Sequence, residues 1–168
     1  MGTTKTGRVL NTKGASGVAS QFSVVHSNEG AYTKPQNGNK IRLKSGGHGQ
    51  AGMNELDKYG IEYHIVKTYS NGVRVGYIPT HKNKMKQTGT GQAWFPKTWT
   101  SKDIKHAGEH VANLKGNRHV KDGVPVFGMW KGVRVGVIRT NGKIGTIFPD
   151  SKQPNKEKSR NKKRGKKK

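Results

Sequence analysis

The chain has 168 residues, which suits one compact domain with tails, and 33 Lys and Arg stand against only 9 Asp and Glu, a formal net charge of +24. That excess calls for a polyanionic partner; with no apolar run near the roughly 20 residues of a membrane span and no long basic amphipathic helix, nucleic acid fits better than a membrane surface. The absence of cysteine excludes disulfides, thiolate zinc sites and cysteine nucleophiles, and the scattered acids do not suit a two-metal nuclease.

Residues 1–40 are rich in Gly, Ser, Thr and Asn and read as a loosely structured arm with one short strand at Phe22–His26. The polar surroundings of Met1 show no signal peptide. The folded core is expected at residues 41–150. It opens on Ser45-Gly46-Gly47-His48-Gly49, a glycine-rich turn leading into a helix over Gly49–Tyr59 that Gly60 stops. Glycines let backbone approach a phosphate closely, and a helix N-terminus favours anions, so His48 is a candidate for phosphate chemistry. An exposed histidine in an ordinary loop is the alternative.

Glu62–Tyr69 and Val73–Ile78 are β-rich runs separated by Ser70-Asn71-Gly72, a hairpin signal. His64 lies on the first of these strands. His81 follows the hairpin and opens a basic segment with Lys82, Lys84 and Lys86, which could bind phosphate and stabilise developing negative charge. A solvated loop is the ordinary fate of such a run.

Gly89 to Trp99 places two Trp and a Phe beside lysines. Aromatics there can stack bases, yet in a chain with so few aromatics Phe95 and at least one Trp are expected in the core. Thr100-Ser101-Lys102-Asp103 reads as a capping box, and Ile104, Gly108, Val111 and Leu114 follow at helical spacing up to Gly116. His106 and His110 are four apart on that helix, a spacing that could hold zinc, but they fall opposite the apolar stripe and lack a third ligand, so no metal site is expected. His26 and His119 have nothing distinctive nearby.

Val124–Met129, Gly132–Arg139 and Lys143–Phe148 read as three more strands, the last two joined by Asn141-Gly142. Gly72-Val73-Arg74-Val75-Gly76 recurs as Gly132-Val133-Arg134-Val135-Gly136, consistent with two similar sheets or with chance reuse. The sum is an α+β domain, helices first and antiparallel β-hairpins and sheet after. Residues 151–168, nearly all Lys, Arg, Asn and Ser, should be a disordered basic tail.

In order and spacing, Gly46-Gly47-His48, the hairpin Gly72–Ile78, the Phe95–Thr100 segment and Thr146–Pro149 resemble the bacterial EndoU-type toxin domains over about residues 41–150. The resemblance implies the EndoU-like ribonuclease fold. It implies a metal-independent, cofactor-free endoribonuclease that uses two His and one Lys, with a Ser or Thr and a Tyr lining the base pocket. His48 matches the first His, while His64 and His81 both remain candidates for the second. Lys86 is favoured for the Lys, with Lys82 and Lys84 as substrate contacts. Thr146 matches the Thr of the closing motif, and Phe148 stands where a Tyr is usual, which keeps stacking and loses a hydroxyl. The implied reaction is 2′-hydroxyl attack giving 2′,3′-cyclic phosphate and 5′-hydroxyl ends.

The resemblance further implies an antibacterial toxin domain, secreted or delivered into a target cell's cytoplasm, acting on RNA (tRNA among the candidates). A cognate immunity protein would be its partner, and no membrane insertion is involved. The competing class is a non-catalytic basic RNA-binding protein. It explains the charge and the tail equally well, but not Gly46-Gly47-His48 together with Thr146-Ile147-Phe148-Pro149.

Overall fold

The computed structural model describes residues 17–35, 38 and 40–154. The expected tail therefore falls outside the described residues from 155 onward, as does most of the first half of the expected arm. The described part is α+β, built from three α-helices and three small antiparallel sheets.

The first helix, α1 (Gln21–Asn28), replaces the predicted strand at Phe22–His26. Ser20 is the reason the helix starts: its side chain accepts from the Ser23 N–H, an N-cap bond. The adjacent β-branched Val24 and Val25 favour a strand locally, but Val24 is buried and tertiary packing overrides the propensity. So α1 and the short strand β1 (Ala31–Tyr32), both assigned from sequence to a loose arm, belong to the fold. β1 pairs antiparallel with β2 (Leu43–Ser45).

The second helix, α2 (Gln50–Tyr59), ends on Gly60 in the left-handed conformation. β3 (His64–Thr68) and β4 (Arg74–Tyr77) form the predicted hairpin, and β5 (Gln92–Trp94) adds a third strand to β4 that sequence did not suggest. Side chains alternate on this sheet. Val73, Val75, Ala93 and Phe95 enter a large core shared with the rest of the fold, while Ile78 and Trp94 enter a smaller core with Leu43, Met53, Leu56 and Ile61. The middle sheet thus carries a core on each face. Phe95 and Trp94 are both fully buried, and Trp99 packs against the larger core.

The third helix, α3 (Ser101–Ala112), carries the predicted capping box in full, with Thr100 and Asp103 each bonding the other's backbone. Its Ile104, Ala107 and Val111 face the larger core. Against it lies the sheet β6 (Val126–Trp130), β7 (Val133–Thr140), β8 (Lys143–Pro149), in that order. Asn141 and Gly142 both take positive φ, 54° and 76°, as a two-residue hairpin turn requires. The repeated Gly-Val-Arg-Val-Gly segment leads, in each copy, into the middle strand of a three-stranded sheet, β4 and β7.

Candidate active site

The glycine-rich turn is stitched to the last turn of α1. The N–H groups of Gly47, His48 and Gly49 donate to the carbonyls of His26, Ser27 and Asn28, at 3.1, 2.6 and 3.1 Å. Gly46 and Gly47 have φ of 70° and 71°, a conformation other residues rarely adopt. A Cβ on Gly46 would stand 2.1 Å from the His26 carbonyl oxygen and 3.1 Å from its Nε2. This turn therefore needs glycine, and it brings the His26 ring against the segment that carries His48.

On its other side His48 is held by β5. Its carbonyl accepts from the Phe95 N–H at 2.7 Å, and its Nδ1 lies 2.8 Å from the Ala93 carbonyl. A carbonyl can only accept, so Nδ1 carries the proton and Nε2 keeps the lone pair. Gln92 sits beside this arrangement and its amide donates to the Gly46 carbonyl at 3.4 Å. Ser27 Oγ accepts from the Ile147 N–H at 2.9 Å and so ties α1 to β8. Side chains alternate on β8, which sends Ile147 into the core and leaves Thr146 and Phe148 on the face lining the cleft.

The result is a cleft of about 470 Å³. One wall carries His48, Asn83 and Lys86. The opposite wall carries Phe127, Thr146 and Phe148. The Phe148 ring lies 6.0 Å from the His48 ring and 5.9 Å from Phe127, and the Arg134 guanidinium covers Phe127 at 4.6 Å. Asp150, the acid on the cleft wall, is paired with Arg134 at 2.7 Å.

Electrostatics set the protonation states. Burial pushes the Lys86 ammonium down to about 8. Burial, and next the Lys86 charge, hold His48 well below the usual imidazole range; the Ala93 carbonyl opposes this, while His26 and His81 add to it. The same two leading causes, in the same order, lower His26. Two neutral imidazoles thus share the neighbourhood of one cation.

The structure places the other candidates as follows. His81 is fully buried next to this group, and burial, Lys86 and Arg42 push it down to about 4. Its Nδ1 accepts from the Asn83 N–H at 2.8 Å, its carbonyl accepts from Gln87, and its buried Nε2 has no partner among the described residues. It anchors the turn that leads to Lys86. His64 is exposed on β3, bonded to Glu62 and stacked on Tyr77 at 4.8 Å; it does not line the cleft. Lys84 is exposed on the short helical turn Lys84–Lys86, and Lys82 lines a separate groove. His106 and His110 are exposed on α3, and Glu109 between them bonds Lys105 and the Ala19 N–H. Among the described residues no group of three or more His, Cys, Asp or Glu is placed to hold a metal ion.

His26 is the residue that sequence reasoning passed over. Its signal was available in Ser20 as an N-cap, which would have made a helix of the segment. Nothing local could have shown that the end of that helix meets Gly46–Gly49.

By class this is a nuclease. A family model described as bacterial EndoU nuclease matches residues 23–151, from the first turn of α1 to the last residue lining the cleft. The chain belongs to the bacterial EndoU nuclease family. No curated protein and no solved structure matches it.

Proposed function

We propose that the protein is a metal-independent endoribonuclease that cuts RNA by 2′-hydroxyl attack. The observation that carries this reading is that His48 and Lys86 line one cleft, with the His26 ring packed against Gly46 of its lining and within reach of the Lys86 charge. His48 Nε2, with its lone pair free, takes the proton from the ribose 2′-hydroxyl as the oxygen attacks phosphorus. His26 gives a proton to the departing 5′-oxygen, so a P–O bond forms to the 2′-oxygen while the bond to the 5′-oxygen breaks. A bound phosphodiester carries a negative charge that offsets Lys86, which raises His26 towards the protonated form an acid needs. Lys86 then stabilises the charge that builds on the phosphoryl oxygens. In this scheme His26, rather than His64 or His81, partners His48. Phe148 and Thr146 contact the base, and without a Tyr hydroxyl the choice of base is relaxed.

The test is incubation of labelled RNA with excess chelator. Cleavage to 2′,3′-cyclic phosphate ends, with a 2′-deoxy analogue left uncut, is expected. Restoration of a chelated, inactive protein by Mg²⁺ overturns the mechanism, and RNA retention without cleavage returns the non-catalytic RNA-binding reading. We further read the chain as a delivered antibacterial toxin domain with an immunity protein as partner, on the strength of the bacterial family. Producing it in a bacterial cytoplasm should arrest growth, and the His48→Ala variant should not.

A further inference from the structure

A second concavity, of about 700 Å³, opens beside the active cleft. Lys34, Lys40, Arg42 and Lys82 line it, with Glu62 as the opposing acid and Tyr59 as its aromatic. Glu62 is engaged by His64. Arg42 is fixed in place, its Nε donating to the Thr80 carbonyl at 2.8 Å and its Nη2 to the His81 carbonyl at 3.4 Å. Tyr59 is 37% exposed and braced edge-on against Tyr32 at 5.2 Å, so a ring face is held in place at the rim.

The groove and the cleft are lined by neighbouring stretches of the chain. Arg42, just before β2, lines the groove and Ser45, at the end of β2, lines the cleft, about 10 Å of extended backbone apart. Along the following turn, Lys82 lines the groove while Asn83 and Lys86 line the cleft. The Lys82 N–H donates to the Leu43 carbonyl at 2.9 Å and locks the two stretches together. An RNA strand seated in the cleft therefore has the groove's cations and its aromatic ring within a few phosphates.

We infer that this groove is a flanking subsite that holds the phosphodiester backbone of the RNA strand next to the bond being cut, with Tyr59 offering a face for an unpaired base. Lysine ammonium groups act on phosphates as point charges and do not read sequence, so the subsite adds affinity and register without choosing a base. The inference rests on the ribonuclease reading above, and the experiment separates the two. Binding of a single-stranded 2′-deoxy oligonucleotide, which cannot be cut, is measured against salt for the wild type and for a Lys34→Ala/Lys40→Ala variant. A Lys102→Ala/Lys115→Ala variant, which removes the same charge from exposed positions away from the groove, serves as control. The groove variant should show a salt slope shallower by about 1.4, from two lost contacts at roughly 0.7 each, and the control a smaller change. With cleavable RNA, the groove variant should raise KM for a long strand and leave a dinucleotide unaffected. Equal slopes for the two variants, or an unchanged wild-type slope in the groove variant, overturn the subsite. If no RNA is cut by any form, the ribonuclease reading fails while the binding comparison still decides the groove. Loss of binding to an acidic protein with RNA binding intact would reassign the groove to a partner.

Discussion

His48 and His81 invite comparison. Both are buried in turns beside Lys86, and both are held neutral by burial first and the Lys86 charge second. They differ in which ring nitrogen the backbone occupies. At His48 a carbonyl takes the Nδ1 proton and leaves the Nε2 lone pair free. At His81 an N–H takes the Nδ1 lone pair, and Nε2 is sealed in the interior. Proximity to a cation and a depressed pKa are therefore common to the proposed general base and to a turn anchor. The free lone pair separates them.

The largest effect expected from breaking this contrast is at His48. His48→Ala should lower cleavage by about 10²-fold or more, and His26→Ala likewise, with RNA binding nearly intact because the lysines supply most of the affinity. A folded His48→Ala variant cutting at the wild-type rate removes His48 from the mechanism; a silent His26→Ala reopens the search for its partner. Circular dichroism checks that each variant is folded.

Lys86 comes next. Lys86→Met should cost about 10²–10³-fold in kcat. Because Lys86 is charged only below about 8, kcat/KM of the wild type should fall as pH rises through that value. Lys86→Arg should move the alkaline limb upward and retain part of the rate. An alkaline limb that stays in place in Lys86→Arg belongs to another group.

At His81 the expected effect is on stability. Its folded pKa of about 4 lies below the unfolded value of about 6.5, so between those limits the unfolded chain binds more protons and stability falls as pH falls. The full cost is about 3 kcal/mol, reached near pH 4. His81→Gln should remove that part of the acid sensitivity, seen as a flatter dependence of Tm on pH, with a catalytic loss well short of the His48 variant. A loss equal to that of His48→Ala would make His81 catalytic after all. The smallest effects belong to His64, His106 and His110, whose Ala variants should change stability by no more than about 0.5 kcal/mol and leave cleavage close to wild type.

Much of the fold could be read from the sequence. The Asn-Gly hairpins, the Thr100 box and the Gly60 stop are local signals, and they hold because local geometry decides them. The exceptions share a cause. In α1 the Val24-Val25 pair by itself favours a strand, and β5 lies in an aromatic stretch whose pairing partner is some twenty residues upstream. The site shows the same division. His48, Lys86, Thr146 and Phe148 sit in recognisable motifs and converge on one cleft. His26 does not, since its place depends on a ladder between residues 26–28 and 47–49 that no local pattern encodes.

The bond from the Ile147 N–H to Ser27 Oγ spans 120 positions of the chain. An element near the start of the family region is thus completed by one near its end. A nascent chain that stops before β8 lacks Thr146 and Phe148, hence one wall of the cleft, and lacks the clasp on α1. Contacts of such long range also form late and slowly in folding. The nuclease domain therefore completes this cleft only once β8 has been made.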